Sequence, residues 1–121
     1  MSAALAAVCA EASACRVCAE ALAHPPRPVF RLSPTARVVI IGQAPGRRVH
    51  ESGVPWNDPS GDRLRDWMGM DRAAFYDDAR IGIMPMGFCY PGTVKGGDLP
   101  PRRECAPLWH DRLIALLPSM R

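Results

Sequence analysis

The sequence lacks the features that mark membrane-spanning, secreted and disordered proteins. None of its apolar runs approaches the ~20 residues needed to cross a bilayer, so we expect no membrane partner. The Ala-rich residues 1–10 have no basic segment and continue into Glu11 and Glu20, which argues against a secretory signal. Apolar residues make up 48% and charged residues 22% of the chain, as in average globular proteins. These features predict a folded, cytoplasmic protein.

Lysine is nearly absent. Lys95 is the single lysine among 15 basic residues, so the net charge of +3 is carried by arginine. The planar guanidinium group binds phosphate in a bidentate manner, which an ammonium group does not. This composition permits nucleic-acid binding without requiring it. The 13 prolines and 10 glycines stand between apolar runs, which indicates that loops, where functional sites commonly lie, occupy much of the chain.

The chain length and the apolar pattern predict one α/β domain over residues 1–121. Residues 37–42 hold four consecutive β-branched apolar residues, and such a continuous run is typical of a central parallel strand buried on both faces. Residues 80–86 form a second strand candidate, weakened by Gly82 and Pro85. We also expect helices over residues 2–14, 60–69 and 104–117. A helical turn at Phe75, capped by Asp71, and a short helical piece after Cys18 are expected as well. An edge strand is expected at residues 29–32. Ser60 is the expected N-cap and Gly69 the expected stop of the 60–69 helix.

The segment Gly42-Gln-Ala-Pro-Gly46 comes directly after the first predicted strand. Ligands of parallel α/β sheets bind beyond the carboxyl ends of the strands, so this loop lies where a site is expected. Its glycines allow close approach of the backbone, and the N–H groups of Ala44 and Gly46, with the Gln43 amide, can hydrogen-bond a base or a phosphate. The loop is neither a Walker A motif nor a dinucleotide fingerprint, because the lysine and the third glycine are missing. A purely structural Gly-Pro turn is the alternative.

Four of the five cysteines fall into two pairs. Two residues separate Cys15 from Cys18, 15 residues separate Cys89 from Cys105, and Cys9 is left over. In a cytosolic chain a CxxC turn is more often a metal or redox site than a disulfide. Four thiolates suit either tetrahedral zinc or a [4Fe–4S] cluster, and the spacing does not separate the two. Buried thiols without a metal are the alternative.

Three features in this order resemble the iron–sulfur branch of the uracil-DNA glycosylase superfamily. They are the strand with its Gly42–Gly46 loop, the segment Gly53-Val-Pro-Trp-Asn-Asp-Pro-Ser-Gly61 before a helix, and the two cysteine pairs. The segments at residues 85–92 and 97–107 are similar to the short bacterial uracil-DNA glycosylase-like proteins. The resemblance covers nearly the whole chain, and it implies a three-layer αβα fold with a mainly parallel central sheet.

The resemblance implies a base-excision repair enzyme that flips uracil or another deaminated base out of DNA and hydrolyses its N-glycosidic bond. Trp56 matches the position of a ring that stacks on the flipped base, and a core tryptophan is the alternative. Gln43 matches a position that commonly holds Glu in this branch; it can hold water or a base edge, but it cannot deprotonate water. His50, near the loop, is a candidate acid or base, although a loop histidine is often uninvolved. The candidate substrate-binding residues are Gly42, Ala44, Pro45, Gly46 and Trp56.

The resemblance also implies a cofactor and a partner. The cofactor would be a [4Fe–4S] cluster on Cys15, Cys18, Cys89 and Cys105, stapling the N-terminal segment to the loop before the last helix. Zinc is the alternative, and Cys9 would be an ordinary helix thiol. The partner would be DNA, with the phosphates bound by Arg47, Arg48, Arg102 and Arg103 unless these are merely solvated. A monomer is expected for the complete domain.

Two features depart from the family pattern. Pro85 falls where active members carry a base-reading Asn, and it has no side-chain donor or acceptor. Family members also continue to a second motif with His and Ser that this sequence does not contain. We therefore expect the chain to be the N-terminal part of the domain, incomplete at its C-terminus, with an exposed sheet edge that favours association. An inactive chain, a non-catalytic cluster-bearing nucleic-acid binding relative and a zinc-stapled scaffold are the alternatives to an active glycosylase.

Overall fold

The structure is a computed structural model that describes residues 3–118. Its helices are α1 (Ala3–Ser13), α2 (Arg47–Ser52), α3 (Pro59–Met68), α4 (Arg72–Phe75) and α5 (Cys105–Ile114), and its strands are β1 (Val38–Ile40), β2 (Ile81–Ile83), β3 (Thr93–Val94) and β4 (Gly97–Asp98). The predicted α/β class is confirmed, because β1 and β2 pair in parallel and helices connect them. Within the described residues no helix is both long enough and apolar enough to cross a membrane.

The parallel sheet pairs Val38 with Ile81 and Ile40 with Ile83. Parallel strands require a long crossover, and α2, α3 and α4 supply it. On the other side of β2, Arg31 forms a single antiparallel bridge to Ile83. This bridge is all that the structure contains of the edge strand expected at residues 29–32. The strands β3 and β4 form a separate antiparallel hairpin.

The burial of the two parallel strands reverses the expectation. Val38 of β1 is 47% exposed, whereas every residue of β2 is buried. In the described part of the chain β2 lies between β1 and Arg31, while β1 is paired on one side alone. The prediction that the 37–42 strand is buried on both faces is therefore wrong. The burial of a strand depends on the elements that pack against it. A continuous apolar run shows only that the strand can be buried on both faces.

Helices cover both faces of the sheet. Successive strand residues point to opposite faces, so Val39 packs with a first core cluster that includes Leu5 of α1 and Leu113 of α5. Ile40 packs instead with a second cluster around Phe75, beside α3 and α4. The three-layer αβα arrangement is confirmed by these two clusters.

Helix α3 begins at a different residue from the one expected, because a different side chain caps it, and ends where it was expected to end. The N-cap of α3 is Asp58 and not Ser60: its Oδ1 accepts the Gly61 N–H at 2.8 Å, and Pro59 takes the first helical position, where an N–H is not needed. Gly69 ends α3 in the left-handed conformation as predicted, at φ 67°.

The other helices need smaller corrections. Residues 17–21 form turns instead of a second helical piece, and α5 ends at Ile114 instead of residue 117. Asp71 caps α4 as expected, accepting the Ala74 N–H at 2.8 Å. Ser2, the expected start of the first helix, lies outside the described residues.

Candidate functional site

A cavity of about 290 Å³ opens at the carboxyl ends of β1 and β2. Its wall contains every residue of the Gly42–Gly46 loop, together with Trp56, Asp58, Ser60 and Pro85. This is the edge of the sheet where parallel α/β proteins bind ligands. We call this space the base cavity, after the flipped base that the sequence resemblance leads us to expect there.

Backbone hydrogen bonds hold the Gly42–Gly46 loop against the segment that follows β2. The N–H groups of Met86 and Gly87 donate to the carbonyl oxygens of Gly42 and Gln43, each at 2.9 Å. Within residues 3–118 the N–H groups of Ala44 and Gly46 donate to no acceptor. They are therefore free to bind a ligand, and the side chain of Gln43 is exposed beside them.

The indole ring of Trp56 packs over the backbone of Gly42. A Cβ placed on Gly42 would lie 2.9 Å from Cζ2 of Trp56, so a side chain at this position would displace the ring. Trp56 itself has φ 59°, in the left-handed region that non-glycine residues rarely adopt. Its ring also packs against the cluster around Phe75. Trp56 is thus both a partly buried core residue and a wall of the base cavity.

A buried arginine holds the turn that carries Trp56. Arg65 is 4% exposed, and its Nη1 donates to the Trp56 carbonyl at 3.1 Å and to the Tyr76 hydroxyl at 3.2 Å. Its Nη2 pairs with Asp62 at 2.9 Å. The Tyr76 hydroxyl donates in turn to the Pro55 carbonyl at 2.6 Å. Strained backbone persists where the surroundings impose it, and these bonds supply that support.

Among the described residues that line the base cavity, Asp58 is the single carboxylate. Its Oδ1 accepts from the Gly61 N–H at 2.8 Å and from the Ser60 hydroxyl at 2.7 Å. Its Oδ2 accepts no hydrogen bond from residues 3–118 and keeps its lone pairs. Sequence reasoning missed Asp58, although the pattern Asp-Pro-Ser-Gly marks an N-cap. It missed Arg65 as well, because no sequence signal distinguishes a buried arginine from the exposed ones.

His50 is not among the residues that line the base cavity. Its ring lies near His24 and Tyr90, with centroids 5.5 Å from each. Burial, followed by the positive charges of His24 and Arg27, lowers the pKa of His50. Arg27 also donates to the carbonyls of His50 and Glu51, each at 2.8 Å, at the C-terminal end of α2, where a cation is favourable. This placement favours a structural role for His50 over the predicted acid or base role.

The four cysteines of the two sequence pairs line one cavity, which we call the cysteine cavity: Cys15, Cys18, Cys89 and Cys105. Burial, with a smaller contribution from the neighbouring cysteines, raises the pKa of Cys89 and of Cys105 to about 11. The Phe88 N–H donates to Sγ of Cys105 at 3.3 Å. Cys9 on α1 is not among the lining residues. In the described chain no three His, Cys, Asp or Glu residues lie close enough together to hold one metal ion.

The two cavities share one short segment. Pro85 lines the base cavity, while Gly87, Phe88 and Cys89 line the cysteine cavity. Nε2 of His110 donates to the Pro85 carbonyl at 2.9 Å, which ties α5 to the wall of the base cavity. Residues 85–89 and the hydrogen bond from His110 therefore connect the two cavities.

The four arginines proposed for phosphates differ in their surroundings. Arg47 pairs with Glu51 at 3.1 Å, and Arg102 pairs with Glu104 at 2.8 Å. Arg48 and Arg103 are exposed and form no ion pair within residues 3–118.

A family model described as the uracil DNA glycosylase superfamily matches residues 30–120 of the chain. The match spans the Gly42–Gly46 loop, Trp56, Pro85 and the second cysteine pair. Cys15 and Cys18 lie outside the matched residues. The match therefore establishes the family and leaves the metal site to be argued from the cysteines.

Proposed function

Since the chain belongs to the uracil-DNA glycosylase superfamily, we propose that it is a base-excision repair glycosylase of the iron–sulfur branch, related to the short bacterial members. It hydrolyses the N-glycosidic bond of uracil or another deaminated base that is flipped out of DNA. The observation that carries this proposal is the base cavity of about 290 Å³, whose wall combines an indole ring with free backbone N–H groups. A planar base that carries carbonyl oxygens is complementary to such a wall.

The base is bound by stacking and by edge contacts. Trp56 stacks on the flipped base, an interaction worth roughly 1–3 kcal/mol. The N–H groups of Ala44 and Gly46 and the amide of Gln43 donate to oxygens of the base or of its phosphate. Pro85 offers no side-chain group for reading the base, and its carbonyl is engaged by His110. Base selection therefore depends on the Gly42–Gly46 loop.

The hydrolysis itself requires a water molecule and a proton acceptor. The water oxygen bonds to C1′ of the sugar while the C1′–N bond breaks, and the electron pair of that bond goes to the departing base. The loop N–H groups stabilise the negative charge that develops on the base oxygens. Gln43 orients the water, and the free Oδ2 of Asp58 takes its proton, which then passes to the departing base or to solvent.

We also propose that Cys15, Cys18, Cys89 and Cys105 hold a [4Fe–4S] cluster. All four thiols line one cavity, and a backbone N–H already donates to one of them. A single zinc ion needs its sulfurs about 2.3 Å from one atom, whereas a cluster spreads four thiolates around a larger body. The set of four cysteines in one cavity fits the ligands that such a cluster takes, and zinc is the alternative. When bound, it supplies a cross-link between the N-terminal turn and the start of α5.

A cleavage assay on labelled DNA tests the glycosylase. A duplex with one uracil or one hypoxanthine is incubated with the protein and treated with alkali, and we expect a strand break at the modified position. Trp56→Ala is expected to reduce the rate on the order of 10- to 100-fold, as lost stacking requires. Trp67→Ala is the matched control, because Trp67 is 76% exposed and does not line the base cavity. Intact DNA with every deaminated base contradicts the proposal.

A non-catalytic DNA-binding protein is the second candidate. Pro85 and Gln43 favour it, because the first cannot read a base and the second cannot take a proton from water. This candidate predicts binding to a uracil-containing duplex without cleavage, with an affinity that falls as the salt concentration rises. An affinity that is independent of salt contradicts it.

A further inference from the structure

Two buried donors at the cysteine cavity have no acceptor. Within the described residues, the buried side-chain nitrogens and oxygens without a hydrogen bond are Nδ1 of His50, Nε of Arg102 and Nε1 of Trp109. Arg102 and Trp109 both line the cysteine cavity. Leaving a buried donor unpaired costs about 1–3 kcal/mol, and such groups are rare enough in native proteins that each needs an explanation.

The side-chain acceptors at the cysteine cavity beside Trp109 are cysteine sulfurs. Trp109 is 7% exposed and belongs to the first core cluster, against which Cys15 and Cys105 pack. No Asp, Glu, Asn, Gln, Ser or Thr lines this cavity in the described chain. Among the side chains that line this cavity in the described chain, the cysteine sulfurs are therefore the acceptors available to the indole N–H.

Arg102 is held in place at the same cavity. Its Nη2 donates to Oε2 of Glu104 at 2.8 Å, and the same oxygen accepts from Sγ of Cys18 at 3.6 Å. The side chain is 38% exposed, but its Nε is buried. Glu104 thus fixes a guanidinium group beside a cysteine and leaves one N–H unused.

We propose that Arg102 and Trp109 are positioning residues for the iron–sulfur cluster, whose sulfur atoms accept their N–H groups. This inference rests on the cluster of the proposed function. A [4Fe–4S] centre with four thiolate ligands is an anion, and hydrogen bonds to its sulfurs help to set its reduction potential. The Phe88 N–H that donates to Cys105 at 3.3 Å is a contact of the same kind. These donors stabilise the more negative, reduced form and so raise the potential.

The test compares reduction potentials of the iron-loaded protein. Iron and acid-labile sulfide are measured first, and the potential is then determined by spectroelectrochemical titration. We expect a more negative potential in Trp109→Phe, which keeps the aromatic body without the N–H, and in Arg102→Met. Arg103→Met is the control for charge, since it loses one positive charge but is exposed and does not line the cysteine cavity. It is expected to retain the wild-type potential.

A second measurement needs no variant at the cavity. In the reduced wild-type protein grown with indole-¹⁵N tryptophan, electron–nuclear double resonance is expected to show ¹⁵N coupling to the cluster. The coupling should remain in Trp67→Phe. Absence of this coupling, or wild-type potentials in both Trp109→Phe and Arg102→Met, overturns the inference while leaving the cluster in place. An equal shift in Arg103→Met also overturns the role of Arg102. A protein without iron and sulfide overturns the proposed cluster and, with it, this inference.

Discussion

The ring of Trp56 and the backbone of Gly42 are in direct contact, close enough that a Cβ on Gly42 would come within 2.9 Å of Cζ2 of Trp56. The two residues belong to different segments, the loop after β1 and the turn before α3. Their contact joins these segments into one wall of the base cavity. The size of the side chain at position 42 therefore controls the position of the ring.

Gly42→Ala is expected to displace Trp56 and to lower the free energy of unfolding by about 1–3 kcal/mol, as overpacking commonly does. Chemical denaturation measures the change. A double-mutant cycle with Trp56→Ala isolates the contact, because Gly42→Ala should be nearly harmless once the ring is absent. Strictly additive losses would show that the clash is not the cause.

Arg65→Met is expected to lower the free energy of unfolding by about 1–3 kcal/mol, because it leaves the Trp56 carbonyl without its donor. The cleavage rate should fall as well, since the turn that carries Trp56 loses its support. Arg63→Met is the matched control: Arg63 lies on the same helix and is exposed. Denaturation and the cleavage assay measure the two effects. Equal stability of the two variants contradicts the role given to Arg65.

Asp58→Asn separates the capping role of Asp58 from its proposed role as a base. Asn caps helices about as well as Asp, so stability should be retained while the cleavage rate falls on the order of 10²- to 10⁴-fold. Asp58→Ala should show the same fall in cleavage rate and, because it also loses the cap, a free energy of unfolding lower by about 1 kcal/mol. Asp66→Asn, an exposed change on the same helix, should leave both unchanged. A wild-type cleavage rate in Asp58→Asn excludes the base.

His50 is expected to make the protein less stable in mild acid. Burial and the positive charges of His24 and Arg27 lower its pKa in the folded protein, so the unfolded chain binds the proton more readily. The contribution of neutral His50 to the free energy of unfolding is fully present above the pKa of the unfolded chain, about 6.5. It is lost as the pH falls through that value towards the pKa of the folded protein. Thermal unfolding of His50→Gln at pH 5 to 8 should show a flatter pH dependence than the wild type. Parallel curves contradict this assignment.

Cys89→Ser is expected to lose the cluster, whereas Cys9→Ser is expected to retain it. Cys89 lines the cysteine cavity and Cys9 does not. Iron, zinc and acid-labile sulfide measured on each purified protein give the answer. Equal loss of metal in the two variants contradicts the assignment of four ligands, and zinc without sulfide in the wild type favours the zinc-stapled alternative.

The sequence predicted those features that depend on neighbouring residues. Gly69 and Asp71 were recognised as a helix stop and a cap because capping involves atoms only a few residues apart. The placement of the Gly42–Gly46 loop at the carboxyl edge of the sheet followed from the order of strand and glycine, and the family from the order of motifs. The N-cap of α3, by contrast, was predicted at Ser60 and lies at Asp58, because Pro59 takes the first helical position.

Only the tertiary structure decided which side chains are buried and what they meet. The apolar strand β1 is half exposed because β2 takes the inner position, and His50 faces Tyr90 instead of the base cavity although it follows the motif closely. The orphaned N–H groups of Arg102 and Trp109 come to lie at one cavity with Cys15. Burial and hydrogen-bond partners arise from contacts between residues distant along the chain, and no local pattern of sequence encodes them.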